Sequence, residues 1–297
     1  MTLPPRVVIV HRPSELTELQ RRHGTRRHAE FFLRSRGRTL AEVQARHDAL
    51  DLALRAAADA VPTGWRRGDV QRGDLDRFLF EPTDIVVAVG QDGLVANLAK
   101  YLTGQPVVGI DPEPGRNPGV LVTRGPADLG ALLPAAAGGA AAVTHRTMVT
   151  ATCDDGQELT ALNEIYLGHA GHQSSRYTLT ADHGISESQS SSGIIIGTGT
   201  GASGWCRSIW RERRSTLQLP EPAVPELVWF VREAWPSPAT GVDHTEGRLG
   251  PGQALRVTIG CDALVVFGDG LESDRLTATW GQSVSIGIAG RTLRHIA

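Results

Sequence analysis

The first half of the chain alternates short apolar runs with amphipathic stretches. The runs RVVIV (6–10) and IVVAV (85–89) are rich in β-branched residues and have the length of buried strands. Between them, residues 18–61 place apolar side chains at three- and four-residue spacing, which predicts helices. After the second run, ANLAKYLTG predicts a further helix that ends at Gly104. Strands that alternate with helices predict an α/β domain with a mostly parallel sheet.

The second half of the chain has a different pattern. A low-complexity segment with the pair Gly138-Gly139 predicts a helix end and an interdomain linker. Beyond it, short apolar strands such as ELTALNEIYLG (158–168) follow one another closely, with turn signals such as Gly268-Asp269-Gly270 between them. We therefore expect an α/β domain over residues 1–142 and an antiparallel, sandwich-like, all-β domain over residues 143–275.

Composition and charge exclude several classes of protein. The 297 residues carry 30 basic and 32 acidic side chains, so the basic excess of a nucleic-acid-binding protein is missing. No apolar run approaches the ~20 residues of a membrane span, and the start of the chain lacks the apolar region of a signal peptide. Three widely spaced cysteines without a CxxC pair predict neither a disulfide framework nor a zinc site. We expect a soluble cytoplasmic protein with no nucleic-acid or membrane partner.

One candidate site follows the run IVVAV. Gly90-Gln91-Asp92-Gly93 lies where a strand ends, and ligands of open α/β sheets bind at such ends. Glycines allow the main chain to approach a phosphate, and the carboxylate of Asp92 could accept a proton from a hydroxyl or bind a metal. The same residues are also typical of an ordinary βα turn with an acidic N-cap. A Walker A loop is excluded, because the single lysine, Lys100, does not stand in its motif.

Two further candidates lie in the β-rich half. GTGTG (197–201) precedes a predicted helix without GxGxxG spacing, and it predicts a flexible loop with free backbone donors. Trp205 follows, and its ring could stack on a base or pack in the core. The adjacent polar residues Asn163 and Glu164 interrupt a predicted apolar strand, where an amide can pair with adenine and a carboxylate can accept two ribose hydroxyls. A hydrogen-bonded interior pair would explain them equally well.

The order of these three elements resembles the NAD kinases, most of all their mitochondrial-type branch. The segments GIDPEPGRNPG (109–119), ALNEIYLG (161–168), SSGIIIGTGTGASGW (191–205) and FVRE (230–233) are also similar to motifs of that branch, and the resemblance covers nearly the whole chain. It implies an NAD kinase-like fold and a kinase that transfers a phosphoryl group to the adenosine ribose 2′-hydroxyl of NAD, giving NADP. The donor would be ATP, accompanied by Mg²⁺, or polyphosphate.

The resemblance also implies roles for individual residues. Asp92 would activate the hydroxyl, Gly90 and Gly93 would face the phosphates, and no side chain is predicted as a metal ligand. Asn163 and Glu164 would bind the adenosine part and a ribose of NAD. The rest of the dinucleotide pocket would be formed by Thr200, Ser203, Gly204, Trp205 and Ser208. The family also predicts a homodimer, and a C-terminal tail over residues 276–297 that returns to the first domain.

Two departures from the family pattern leave alternatives open. Gln91 replaces a glycine and Leu94 replaces a threonine of the family's Gly-Gly-Asp-Gly-Thr loop. A positive φ at position 91 would strain glutamine, and the missing hydroxyl at position 94 would remove a contact to phosphate or metal. One alternative is therefore a catalytically impaired, NAD(P)-binding regulatory protein. Another is a kinase of related fold that acts on a lipid or sugar hydroxyl.

Overall fold

The computed structural model describes residues 4–116, 119–181 and 184–297. The chain divides into two compact units, of which the first extends to Thr144 and also contains Arg294–Ala297. The second unit is His145–Leu293. Of the predicted returning tail, the structure thus places residues 276–293 in the second unit, because this segment continues the antiparallel strands there.

The first unit is built on a parallel sheet. Its strands are β1 (Arg6–His11), β2 (Arg66–Gln71), β3 (Ile85–Val89) and β4 (Pro106–Ile110). They pair in the order β2-β1-β3-β4, and residues 294–296 add a strand beside β4. Each of these pairings is parallel, and β3 is buried along its whole length, as expected for a strand covered by helices on both faces. The predicted α/β domain is confirmed.

Among the described residues of the first unit, five α-helices accompany this sheet. They are α1 (Glu15–His23), α2 (Arg26–Arg34), α3 (Leu40–Asp59), α4 (Asp92–Ala99) and α5 (Leu129–Ala137). The predicted helical stretch is divided because Gly24 and Gly37 take φ of 74° and 68°, while Thr25 and Thr39 cap the helices that follow. The helix predicted to end at Gly104 ends earlier, at Ala99. In the part of the chain that the structure describes, no helix is long and apolar enough to cross a membrane.

The strand order creates a crevice at one edge of the first sheet. The chain leaves β1 for β2 on one side and then crosses to β3 on the other side. In open α/β sheets, ligands bind outside the carboxyl ends of the two strands that flank such a switch point. Arg12 directly follows β1 and Gly90 directly follows β3, so both residues lie at this switch point. The fold of the first unit therefore brings the Gly-Gln-Asp-Gly loop to the position where a ligand is expected.

The second unit contains two antiparallel sheets. Its strands are β5 (Val143–Cys153), β6 (Glu158–Ala161), β7 (Glu164–Gly168), β8 (Ser175–Ala181), β9 (Ile185–Ser191), β10 (Ile194–Thr198), β11 (Leu227–Val231), β12 (Glu246–Leu249), β13 (Ala254–Ile259), β14 (Ala263–Gly268), β15 (Leu271–Thr279) and β16 (Ser283–Ile296). One sheet has the order β12-β11-β10-β7-β14-β15, and the other contains β16-β13-β8-β9, with β5 between β16 and β6. The predicted all-β domain is confirmed.

The two sheets of the second unit share one apolar core. Ile194 and Ile196, from the sheet that contains β10, pack in the same cluster as Tyr177 and Val257, from the sheet that contains β13. Ile195 points to the opposite face, since side chains alternate along a strand, and packs beneath the last helix, α6 (Trp205–Arg213). Helix α6 thus holds the end of the Thr-Gly loop (residues 197–201) against the outer face of the sheet that contains β10.

Three strands of the second unit carry too little apolar alternation for the sequence to show them. They are β9, β12 and β15, with the sequences ISESQSS, EGRL and LESDRLTAT. ELTALNEIYLG, predicted as one strand, is divided into β6 and β7 at Leu162-Asn163. The prediction of one continuous strand is wrong, and the turn at this point belongs to the candidate site described below.

A buried ion pair supports the first sheet at the end opposite the crevice. Asp84 is fully buried, and Arg6 donates to both of its carboxylate oxygens at 2.8 and 2.6 Å. Hydrogen bonding to Asp84 is the main cause of a raised Arg6 pKa. Arg6→Met leaves the buried carboxylate without its cation, and we expect a loss of about 3–5 kcal/mol of stability in urea unfolding. Arg67→Met removes an exposed arginine from the neighbouring strand and should change stability by less than about 1 kcal/mol. Equal losses would contradict this assignment.

Candidate functional site

The Gly-Gln-Asp-Gly loop lines a cavity in the first unit. The N–H of Gly90 donates to the carbonyl of Ile110 at 2.9 Å, which joins the loop to the end of β4. Residues 90–93 surround a cavity of about 300 Å³ together with Asp111, Gly119 and Val122. The predicted residues Gly90, Asp92 and Gly93 therefore lie together. Asn117 and Pro118 of the aspartate-proline segment lie outside the described residues.

The carboxylate of Asp92 is engaged by the backbone of the segment after β4. Its Oδ1 accepts the N–H groups of Leu121 and Val122, both at 2.9 Å, and its Oδ2 accepts that of Val120 at 2.7 Å. A Cβ at Gly119 would lie 2.5 Å from Oδ1, so this segment packs tightly on the carboxylate. A carboxylate offers about four acceptor positions. One acceptor position on Oδ2 thus receives no hydrogen bond from a described residue.

The two departures from the family loop are accommodated without strain. Gln91 takes φ of −114° as the N-cap of α4, so the positive φ considered from the sequence is absent and the expected strain is wrong. Leu94 is fully buried, and its Cδ2 would lie 3.2 Å from a Cβ at Gly90. A side chain at this position contributes to the core beneath the loop. Neither replacement disturbs the backbone of residues 90–93.

Sequence analysis missed a pair of arginines at the same sheet edge. Arg12 and Arg72 both donate to the amide oxygen of Asn97, at 2.8 and 3.2 Å. Desolvation, and secondly the charge of Arg72, lower the pKa of Arg12 from its ordinary value. Arg12 also lines a cavity of about 270 Å³ with Gly90 and Gln91. The sequence signal that could have identified Arg12 is its position directly after β1. Paired guanidinium groups favour a bound anion, so two arginines at this sheet edge are a candidate anion site.

The first unit offers few ligands for a metal ion. Among the described residues, no group of three or more His, Cys, Asp or Glu side chains could hold one. Asp111 lines the cavity beside Asp92, and only its Oδ1 accepts a described hydrogen bond, from the N–H of Glu113 at 2.9 Å. Mg²⁺ commonly binds one or two carboxylates plus substrate phosphates. This donor set fits a Mg²⁺ ion that arrives with its nucleotide.

In the second unit, Asn163 and Glu164 stand on a turn that Asp269 holds. The carboxylate of Asp269 accepts the N–H groups of Leu162 at 2.9 Å and Asn163 at 2.7 Å. The N–H of Asp269 donates to the carbonyl of Glu164 at 3.1 Å, and its φ is 53°. These bonds interrupt the apolar run ELTALNEIYLG and explain why it does not form one strand. Sequence analysis had found Asp269 only as part of a turn signal.

The Thr-Gly loop packs directly on this turn. Thr198 donates its hydroxyl to the carbonyl of Leu162 at 2.6 Å and accepts the N–H groups of Thr200 and Gly201. A Cβ at Gly201 would lie 2.1 Å from the carbonyl oxygen of Asn163. The prediction of a flexible loop with free backbone donors is therefore wrong for these two residues. Close approach of the backbone requires the glycine here.

Two polar groups near the turn have no hydrogen-bond partner among the residues that the structure describes. Glu164 is largely buried, and no described residue donates a hydrogen bond to its carboxylate. Burial, and secondly the charge of Asp269, raise its pKa to about 7. The hydroxyl of Thr200 is buried without a hydrogen-bond partner, while Ser203 donates to the carbonyl of Thr200 at 2.9 Å. Buried polar groups are normally satisfied, so the Thr200 hydroxyl is unusual, whereas the Glu164 carboxylate keeps some exposure to solvent.

The remaining predicted residues lie on or beside α6. Trp205 stacks on Tyr166 with ring centroids 6.0 Å apart, and the guanidinium of Arg232 lies 5.4 Å from the Trp205 ring. Trp205 and Ser208 line a cavity of about 390 Å³ with Arg232. Gly204 precedes α6 and accepts the N–H of Ser208 at 3.2 Å. Trp205 is thus held by protein contacts on the margin of this cavity.

The titration of Glu164 predicts a pH dependence of stability. Its pKa is about 7 in the folded protein and 4.5 ordinarily, so the unfolded chain loses this proton first as pH rises. Stability should fall between these values and stay low above them. Glu164→Gln removes this loss, and its stability relative to wild type should increase by about 1–3 kcal/mol between about pH 4.5 and about pH 8. A pH-independent difference in urea unfolding would contradict the raised pKa.

Close packing of the Thr-Gly loop predicts a large effect of one methyl group. Gly201→Ala must displace the backbone of Asn163, and we expect a loss of about 1–3 kcal/mol. Gly290→Ala adds a methyl group in the same unit with nothing within 4 Å, and it should be close to neutral. Thermal unfolding of both variants tests this contact. Equal melting temperatures would show that the loop yields freely.

Comparison with known proteins gives one informative match. No family model matches the chain. The NAD kinase of Chlorobaculum tepidum is 29% identical over 132 residues, which are 44% of this chain and 46% of the relative. The chain thus matches about half the length of that relative, and its assignment to the mitochondrial-type branch stays a prediction. Together with the α/β and antiparallel units, this match confirms the resemblance of the chain to the NAD kinase family.

Proposed function

We propose that this protein is an NAD kinase, which transfers a phosphoryl group from ATP or polyphosphate to the adenosine ribose 2′-hydroxyl of NAD and so produces NADP. The partly buried carboxylate of Glu164, to which no described residue donates a hydrogen bond, carries the proposal. A ribose presents two neighbouring hydroxyl donors, which match the two oxygens of such a carboxylate. The relative named NAD kinase supports the same function.

The second unit contributes the groups for the dinucleotide. Glu164 accepts ribose hydroxyls, and Asn163 on the same turn presents an amide to adenine. The buried hydroxyl of Thr200 has an unmet hydrogen bond for the same ligand. Ser203, Gly204, Trp205 and Ser208 extend this surface along the start of α6. The proposal therefore uses every predicted residue of this unit.

The first unit contributes the groups for phosphoryl transfer. Asp92 accepts the proton of the attacking hydroxyl at the remaining acceptor position of Oδ2, since a ribose hydroxyl is a poor nucleophile while protonated. Gly90 and Gly93 allow phosphates close to the backbone, and Arg12 balances their negative charge. Asp111, which lines the same cavity, would hold a Mg²⁺ ion, and that ion would supply positive charge to the phosphates of ATP. The homodimer, the cytoplasmic location and the choice of donor stay predictions.

A coupled assay tests this function. We incubate the protein with NAD and either ATP with Mg²⁺ or polyphosphate, and detect NADP with an NADP-specific dehydrogenase. Asp92→Asn should lower turnover by about 10²-fold or more, because the amide cannot accept the proton. Asp128→Asn is the matched control, since Asp128 also accepts a backbone N–H in the same unit, from Gly125 at 2.9 Å. Equal turnover of wild type and Asp92→Asn would show that Asp92 is not the base.

The hydrogen bonds of Asp92 favour a second candidate function. Backbone N–H groups already occupy three acceptor positions of this carboxylate, so the protein could bind NAD or NADP and regulate a partner without turnover. A thermal shift with NAD, but no NADP from either donor, would select this function. Restoring the family loop by Leu94→Thr is not expected to rescue activity, because position 94 is buried in the core.

A further inference from the structure

Two arginines of the first unit donate to the same atom. Arg12 follows β1 and Arg72 follows β2, and their guanidinium groups reach the amide oxygen of Asn97 at 2.8 and 3.2 Å. Asn97 is buried on α4, so it fixes the two cations side by side at the carboxyl edge of the sheet. A guanidinium group has several N–H donors. Each arginine therefore keeps donors for a further acceptor.

The positive charge of this pair is not neutralised by a neighbouring carboxylate. Among the described residues, neither Arg12 nor Arg72 forms an ion pair. Desolvation and then the charge of Arg72 lower the pKa of Arg12, and Glu18 offsets this only in part. The two glutamates of the cavity beside Arg12, Glu15 and Glu113, pair with other arginines. An anion would therefore find two converging cations without a competing partner.

The arginine pair lies beside the Gly-Gln-Asp-Gly loop. A Cβ at Gly93 would lie 3.5 Å from Nη2 of Arg12. Arg12 lines the cavity of about 270 Å³ with Gly90 and Gln91, whereas Asp92 lines the cavity of about 300 Å³ that shares these two residues. The carboxylate of Asp92 is bound by the segment after β4, and β1 and β4 lie on opposite sides of β3. Asp92 and the arginine pair thus flank the loop.

We propose that Arg12 and Arg72 together bind the phosphates that stay on the leaving group of the phosphoryl donor, so that Arg72 sets the affinity for the donor and not for NAD. The inference rests on the proposed function, in which Asp92 accepts the proton of the attacking hydroxyl. Each guanidinium fork matches two oxygens of a phosphate. Two forks side by side fit two consecutive phosphates, which both ATP and polyphosphate contain.

The chemistry of the transfer explains why the pair stands across the loop from Asp92. In-line displacement places the attacking and leaving oxygens on opposite sides of the transferred phosphorus. As the new O–P bond forms, the bond to the leaving oxygen breaks and its electron pair stays on that oxygen. Arg12 and Arg72 neutralise the resulting charge on the β1 side of the loop. The chain has no P-loop lysine for this task, since Lys100 does not stand in that motif.

Titration of inorganic tripolyphosphate into the full-length protein, without NAD, tests the site by calorimetry. Arg72→Gln should weaken tripolyphosphate binding by about tenfold or more, because charge-assisted hydrogen bonds are lost. Arg72→Lys keeps the charge without the fork and should recover part of the affinity. Arg77→Gln removes an exposed arginine from the other end of the same short turn, residues 72–77, and should bind like wild type.

The donor assay assigns the bound phosphates. With either ATP and Mg²⁺ or polyphosphate, Arg72→Gln should lower kcat/KM for the donor by about tenfold or more. The Kd of NAD, measured without a donor, should not change. A loss with both donors, or with one of them alone, identifies the phosphate chain that the pair binds.

The outcomes separate the inference from the proposed function. Wild-type affinity of Arg72→Gln for tripolyphosphate, or an equal weakening of NAD binding, would overturn the inference and leave the proposed function in place. Absence of NADP from both donors, while Arg72→Gln still loses tripolyphosphate, would remove the proposed function but not the phosphate site. Should Arg72→Gln not fold, Arg12→Gln changes an exposed side chain of the same pair and decides the question in its place.

Discussion

Backbone N–H groups bound by a single carboxylate shape both candidate regions of this protein. In the second unit, Asp269 accepts two N–H groups of the turn at Leu162-Asn163, where the chain passes from one sheet to the other. In the first unit, Asp92 holds the segment at residues 120–122 in the same manner. In each case, hydrogen bonds to one carboxylate take the place of the regular backbone hydrogen bonds of a sheet. They fix the conformation of a segment that lies beside candidate functional groups.

The glycines of the candidate regions serve close packing more than conformational freedom. Gly119 lies against Asp92, and Gly201 lies against the carbonyl of Asn163, at distances that a Cβ would make impossible. Gly201 does not have a positive φ. Tight packing leaves little freedom to the loops, so a ligand would meet surfaces that are already ordered. Preorganisation of this kind lowers the entropic cost of binding.

Glu164 shows how a binding group can be costly to the free protein. A carboxylate that is partly buried, and to which no described residue donates a hydrogen bond, destabilises the fold when it ionises. The same feature gives the site an unmet requirement for hydroxyl donors. Stability and recognition thus act in opposite directions at this one residue, which is common where function requires an unsatisfied group.

The sequence by itself determined the two-part architecture and the places of the candidate loops. Apolar periodicity is a local property of the chain, so β1, β3 and most antiparallel strands could be predicted, whereas the polar strands β2 and β9 could not. Only the tertiary structure decided what the key carboxylates touch, because Asp269 lies 107 residues from Leu162 and meets it through the register of β14 against β7. It also decided that Gln91 is unstrained and that Leu94 faces the core. Local patterns determine which elements form, and contacts between distant segments determine the chemistry that their side chains can perform.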